Sequence, residues 1–245
     1  IRDRISNTNA QIDIIHPPNW WVGFENQNLQ LLVKGNKISE FEVEIDYPGV
    51  EIKKIHKADS PNYLFIDLQI SNSTLPGDFK LEFKKGQKKF THYYKIENRR
   101  SPIQQNEGFD SSDVIYLITP DRFANGDYSN DIIKGLKENK IDRNDNYARH
   151  GGDIIGVTQN INYIKEMGFT SIWLNPVLIN DMKEGSYHGY ATTDYYTPDP
   201  RFGSMNDYLE FSEKASKNGI KLIKDIIVNH CGLYHWWMDD LPFND

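Results

Sequence analysis

The hydrophobic pattern changes period once along the chain, near Asp113, and that change limits the fold more than any single motif does. Upstream of it lie runs in which apolar and polar residues alternate, "LQLLVKG", "FEVEIDYPG", "NYLFIDLQIS" and "GDFKLEFKKGQKKFTHYYKIE", punctuated by Gly, Pro, Asn and Asp. Period-two runs at this spacing predict an immunoglobulin-like sandwich of antiparallel strands over residues 1–100. Residues 101–113 carry no apolar periodicity and read as a linker.

From residue 114 to 245 the order becomes strand, helix, strand. "VIYLIT" (114–119), "TSIWLNPV" (170–177) and "KLIKDIIV" (221–228) read as buried strands. "VTQNINYIKEM" (157–167) and Met205–Lys217 read as helices, the second with Ser204 as N-cap and Gly219 just past its end. Such alternation builds a parallel sheet, either doubly wound or part of a closed (β/α)₈ barrel, and both put their chemistry beyond the C-terminal strand ends. Neither a G-x-G-x-x-G after the first strand nor a G-x-x-x-x-G-K-[ST] is present, so nucleotide binding has no support. The strands run instead into "PDRFANGD", "NPVLIND" and "NHCGLYHWW", polar and aromatic tips suited to a hydrated, sugar-like ligand.

Charge narrows the partners. The chain has 28 Lys+Arg against 35 Asp+Glu, and the excess acid falls after residue 110. A nucleic-acid or anionic-membrane surface therefore has no global electrostatic support, whereas a bound cation does. No run reaches the roughly 18 apolar residues of a membrane span, and "IRDRISNTNA" holds no apolar signal core, so any export signal is expected to have been removed or never included. The single cysteine, Cys231, excludes an internal disulfide.

Four stretches carry candidate chemistry. "RFANGDYSND" gathers Asn125, Asp127, Asn130 and Asp131 in one Gly-containing turn, an all-oxygen set suited to Ca²⁺ and equally readable as an Asx-rich surface loop. An EF-hand is excluded: counting from Asp127, Glu138 fits the twelfth position but Ile132 occupies the sixth, where Gly is required. "RHGGDIIG" adds Asp153 after Gly151-Gly152, either as a helix N-cap or as a cation ligand, and its charge argues against a phosphate cradle. "YHGYATTDYY" surrounds His188 with Tyr187, Tyr190, Tyr195 and Tyr196, a set that stacks on sugar rings or packs upon itself. In "DIIVNH" strand alternation puts Asp225, Ile227 and Asn229 on one face and His230 at the exit, and Asp225 in an apolar strand requires a partner. Trp20-Trp21, at the start of a strand, read as a sugar platform or as core, with at least one indole expected inside.

Taken in order, "VIYLITPDRFANGD", "GGDIIG", "GFTSIWLNPV", "YHGY" and "DIIVNH" resemble the first part of the α-amylase family of glycoside hydrolases, and "HPPNWWVGF" with "NHCGLYHWWMDDLP" resembles its neopullulanase and cyclomaltodextrinase branch. The resemblance implies a β-sandwich followed by the first three β/α units of a (β/α)₈ barrel. It implies Ca²⁺ held by Asn125, Asp127, Asn130, Asp131, the Gly151 carbonyl and Asp153. It also implies an α-glucan substrate, with Tyr190 stacking on the sugar, His188 supporting Tyr190, His230 bonding the sugar hydroxyls and Asp225 orienting the strand tip. A periplasmic or secreted location and a homodimer are within its scope.

Retaining hydrolysis in this family uses an Asp nucleophile and a Glu acid about 5 to 5.5 Å apart, placed by the resemblance on the fourth and fifth strands. Both are expected beyond residue 245, which makes these residues the N-terminal part of a longer enzyme, inactive alone. The alternative is a non-catalytic α-glucan-binding protein.

Overall fold

The computed structural model describes residues 12–99 and 108–244. They form two compact units, residues 108–239 being the second, while 240–244 belong with the first. The first eleven residues and most of the expected linker lie outside the described residues.

The first unit is built from β1 (Ile14–His16), β2 (Asn19–Trp21), β3 (Asn28–Lys34), β4 (Glu42–Ile45), β5 (Val50–Lys57), β6 (Tyr63–Ile70), β7 (Gly77–Lys85) and β8 (Lys88–Glu97). Two four-stranded sheets result, ordered β1-β3-β6-β5 and β2-β8-β7-β4. Alternation decides which side chains point inward: Leu29, Leu31 and Val33 of β3 face Phe79, Leu81 and Phe83 of β7 across a common core with Tyr94 and Ile96. Each large apolar side chain so buried contributes roughly 1.5–3 kcal/mol. The expectation of a wholly antiparallel sandwich needs one correction, because β2 pairs with β8 in parallel. Pro17 and Pro18 have no N–H to offer a ladder, so the strand is interrupted there and the chain passes from one sheet to the other.

A second correction concerns the domain boundary, since the expected second domain, 114–245, loses its last residues to the sandwich. The Pro242 carbonyl accepts from the Asp59 and Ser60 amides at 3.0 and 3.2 Å. The Asp240 carboxylate accepts from Ser60 Oγ at 2.8 Å and from Asn62 Nδ2 at 2.9 Å, and Phe243 stacks on Phe65 at 5.8 Å. Backbone donors, carboxylate acceptors and a ring pair together hold this segment in the unit.

In the second unit three short strands, β9 (Ile115–Ile118), β10 (Ser171–Leu174) and β13 (Lys221–Lys224), form a parallel sheet in the order β13-β10-β9. The first crossover contains α1 (Pro120–Phe123), α2 (Ile154–Gln159) and α3 (Ile161–Glu166). The second contains a small hairpin, β11 (Leu178–Ile179) with β12 (Asp194–Pro198), and α4 (Met205–Lys217). The expected single helix over 157–167 is two, because Asn160 turns its side chain onto the Gly156 carbonyl at 2.8 Å and leaves helical geometry. Helix α4 has its expected bounds, fixed by a reciprocal capping box between Ser204 and Asp207.

Tyr116, Ile118, Ile172, Leu174 and Leu222 line the helix-covered face of the sheet with Ile154, Val157, Ile164 and Phe211. The opposite face carries Ile115, Leu117 and Trp173, all exposed. The third strand is shorter than expected: it ends at Lys224, not Val228. Its only neighbour among the described residues, β10, ends opposite at Leu174 and runs into Asn175-Pro176, where the proline has no N–H to continue a ladder. Asp225–Val228 are irregular, and Ile226 and Val228 are exposed rather than buried.

Candidate functional site

The loops that leave the C-terminal ends of β9, β10 and β13 supply every polar residue singled out from the sequence of the second unit. Gly189 is the pivot of the middle loop. Its φ is +80°, and a Cβ there would fall 1.9 Å from the Pro176 carbonyl oxygen, so only glycine brings the backbone this close. Tyr190 follows directly. Its amide donates to His188 Nδ1 at 2.9 Å, which fixes that nitrogen as an acceptor, and the two rings stack at 5.9 Å. Burial pulls the His188 pKa below its ordinary value, against a weaker upward pull from Glu138, so the neutral ring is the favoured form.

The Tyr190 hydroxyl donates to Asp225 Oδ2 at 3.0 Å, and Trp173 Nε1 donates to the same oxygen at 3.1 Å. Burial and then the Asp225 carboxylate push the Tyr190 pKa up, keeping the hydroxyl protonated. His230 Nε2 lies 3.1 Å from the Tyr190 carbonyl, and the Tyr195 hydroxyl donates to the His230 carbonyl at 2.6 Å. The structure thus brings Tyr190, His188, Asp225 and His230 into one cluster, and the partners that Asp225 requires are two neutral donors. Trp173 was missed by sequence reasoning, although period-two alternation in "SIWL" separates it from the helix-facing Ile172 and Leu174. Tyr195 was picked as part of an aromatic cluster, but its role as the hydroxyl that fixes His230 was not legible.

The oxygen-rich loop follows β9. Asp153 is fully buried and caps α2: Oδ1 accepts from Gly156 N at 2.6 Å, and Oδ2 accepts from Asp127 N at 2.8 Å and from Asn130 Nδ2 at 3.2 Å. The Gly126 amide donates to both oxygens, so the lone pairs of Asp153 are committed to the turn. Asp127 Oδ1 accepts from the Ser129 amide and hydroxyl at 2.9 and 2.6 Å, and these bonds hold its pKa below the usual carboxylate value. Asn125 Nδ2 donates to Asp131 Oδ1 at 2.7 Å, and Gly151 packs so closely that a Cβ would lie 2.6 Å from that same oxygen. Asn125 Oδ1 and Asn130 Oδ1 are buried and have no hydrogen-bond partner. Two orphaned amide oxygens fit a hard cation. Among the described residues no group of three or more His, Cys, Asp or Glu could hold a metal, so a cation here would depend chiefly on amide and backbone oxygens, with no more than two carboxylates beside them. Glu138, the twelfth position of the excluded EF-hand count, is buried elsewhere and accepts from the Ser186 amide at 2.7 Å.

Two buried arginines brace these loops, and neither was singled out from the sequence. Arg201 makes a fork to Asp199, Nε to Oδ1 at 2.9 Å and Nη2 to Oδ2 at 2.6 Å, and also donates to the carbonyls of Glu138 and Asn180. The second, Arg149, stands 3.6 Å from Asp121 and 5.1 Å from the Phe202 ring centroid. Asp121 accepts from the amides of His150 and Gly151, which sets the turn before Asp153. The "DPRFG" stretch, an Asp and an Arg two apart beside a Phe and a Gly, was the available signal for the fork.

Residues 14–100 match the family model described as cyclomaltodextrinase, N-terminal, and residues 117–242 match that of the α-amylase catalytic domain. The chain is 43% identical over 122 residues to a β/α-amylase of Paenibacillus polymyxa, a match covering 50% of this chain and 10% of that protein. It is 40% identical over 131 residues to a cyclomaltodextrinase of Thermoanaerobacter pseudethanolicus, covering 54% of this chain and 22% of the relative. It is 38% identical over 119 residues to neopullulanase 2 of Thermoactinomyces vulgaris, covering 49% and 20%. The matched stretch therefore spans less than a quarter of each of these relatives.

Proposed function

Because this chain belongs to the α-amylase family, we propose that it carries the sugar-gripping part of a retaining α-glucan hydrolase that acts on starch-derived oligosaccharides, pullulan or cyclodextrins. The observation that carries this reading is the convergence of Tyr190, Asp225 and His230 at the C-terminal ends of the parallel strands. The face of Tyr190 stacks on the C–H face of a glucose unit, while Asp225 anchors the ring through its hydroxyl. His230 sits exposed beside Tyr190, where a sugar hydroxyl can share or replace its contact with the Tyr190 carbonyl. His188, neutral at pH 7, accepts from the Tyr190 amide and keeps the ring in register. The names of the cyclomaltodextrinase and neopullulanase relatives support this substrate class. Bond cleavage falls to an Asp nucleophile and a Glu acid, about 5 to 5.5 Å apart in retaining enzymes, on strands that follow the third in the family's order.

The same reading puts Ca²⁺ in the loop after β9. Asn125, Asn130, Asp131 and the Gly151 carbonyl are the oxygens that would hold it, with Asp127 and Asp153 building the turn around them. The ion would tie the 125–131 segment to the 151–153 segment. The orphaned oxygens of Asn125 and Asn130 support this. Calorimetric titration with Ca²⁺ after chelation is expected to give one binding event in wild type that Asn130→Ala removes; no event would overturn the assignment. No described helix is long and apolar enough to cross a membrane, and a periplasmic α-amylase of Escherichia coli, 29% identical over 130 residues, supports a periplasmic or secreted location.

Turnover tests the central reading. Release of reducing ends from maltoheptaose and pullulan by the protein at its native length is expected to fall at least ten-fold in kcat/KM for Tyr190→Ala, about 1.4 kcal/mol of lost transition-state stabilisation. Unchanged turnover in that variant would reject it.

A further inference from the structure

Tyr190 is the last member of a row of packed groups that begins at a guanidinium in a different loop. Arg122 lies in α1, just after β9, and Tyr187 lies in the short helical turn Ser186–His188 of the next loop. The Arg122 guanidinium carbon sits 3.9 Å from the Tyr187 ring centroid. Tyr187 meets the His188 ring at 76°, with centroids 5.4 Å apart, and His188 stacks in turn on Tyr190. The head of the row is held firmly. Arg122 Nη1 donates to Asp121 Oδ2 at 2.7 Å and to the Ala148 carbonyl at 2.8 Å, and Nη2 donates to the Asn146 carbonyl at 2.7 Å. Asp121 is buried and takes the amides of His150 and Gly151 as well. A flat guanidinium spends its in-plane N–H groups on such acceptors and still offers its face to a ring, a combination that an ammonium lacks.

We propose that Arg122 is a positioning residue for sugar binding: by covering Tyr187 it fixes the ring on which His188 packs, and through His188 it sets the angle of the Tyr190 face. The proposal rests on the reading of Tyr190 as the stacking face and adds what holds that face still. Two observations give Arg122 this role beyond closing the 146–150 turn. The segment that carries the rings is bounded by Gly185 and Gly189, at φ +71° and +80°. Glycine restrains the backbone least, so side-chain contacts must place the half-buried rings between them. His188 Nδ1 also accepts from the Tyr190 amide at 2.9 Å, so a displaced imidazole carries the Tyr190 backbone and ring with it. A ring already held at its bound angle loses less freedom when a sugar stacks on it, which is where the gain in affinity arises.

Calorimetric titration with maltoheptaose, on the protein at its native length, tests this. Tyr187→Leu removes the ring but leaves every hydrogen bond of Arg122 in place, and is expected to weaken binding about three-fold. Tyr187→Phe keeps the ring and should restore most of the affinity. Arg122→Lys should weaken binding to a similar extent and add little once Tyr187→Leu is present, because the two act in series. The loss caused by Tyr187→Leu should disappear in a Tyr190→Ala background, where no face remains to be held. Thermal melts report the folding of each variant, and the Tyr187 changes keep the test open should Arg122→Lys fail to fold. Folded Tyr187→Leu with wild-type affinity would overturn the proposal while leaving Tyr190 as the stacking face. An equal loss with and without Tyr190→Ala would also overturn it, since Tyr187 would then act by another route. Absence of binding in wild type would reject both readings.

Discussion

The Tyr190 hydroxyl donates to Asp225 Oδ2 at 3.0 Å, joining the loop after the second parallel strand to the end of the third. A carboxylate that takes both this hydroxyl and the Trp173 indole N–H holds two aromatic rings at fixed angles without a counter-charge. Removing the hydroxyl alone separates anchoring from stacking. In Tyr190→Phe the lost bond costs about 1 kcal/mol, so maltoheptaose affinity is expected to fall roughly five-fold, clearly less than in Tyr190→Ala. Equal losses in the two variants, measured by calorimetry, would show that the ring face contributes nothing.

Gly189 sets where Tyr190 begins. With φ +80° and the Pro176 carbonyl in the place of a Cβ, Gly189→Ala must displace backbone. A stability loss of about 2 kcal/mol or more is expected, read as a drop in the urea midpoint, together with loss of glucan binding.

His188 gives the loop a pH dependence whose sign follows from its burial. Its folded pKa lies below the ordinary histidine value, so the unfolded chain binds the proton more readily and stability rises with pH. The contribution is present above about pH 6.5 and is lost as pH falls through the folded value. Thermal melts at pH 7.5 and 5.5 should show a smaller pH difference in His188→Gln than in wild type. An identical difference would mean that His188 does not titrate in this way.

Arg201 and Asp199 are both fully buried, and their fork leaves no room for a point charge. Arg201→Lys keeps the charge but cannot make both parallel bonds while donating to the Asn180 and Glu138 carbonyls. A loss of about 3 kcal/mol is expected, because breaking a buried pair leaves polar groups unpaired. Chemical denaturation of the variant measures it directly.

Much of this was legible in the residues because local and global signals coincide. Period-two runs marked the sandwich strands, and Ser204 with Asp207 three residues later marked the start of α4. The order of the loop motifs marked which tips meet. What escaped depends on partners distant in sequence. "KLIKDIIV" reads as one strand, yet a strand lasts only as long as its neighbour, and β10 gives out at Leu174-Asn175-Pro176. The adoption of 240–244 by the sandwich needed Asp59, Ser60, Asn62 and Phe65, some 180 residues earlier. Trp173 and Tyr195 were visible as residues, but their bonds to Asp225 and His230 span 52 and 35 positions, beyond any local pattern.

The measurement closest to the central claim is a calorimetric titration of maltoheptaose into wild type and His230→Ala, each alone and in a Tyr190→Ala background. Each single change is expected to weaken the principal binding event, and the double variant to lose less than the two single losses added together, because His230 and Tyr190 touch and grip the same sugar. Wild-type affinity in either single variant would contradict it.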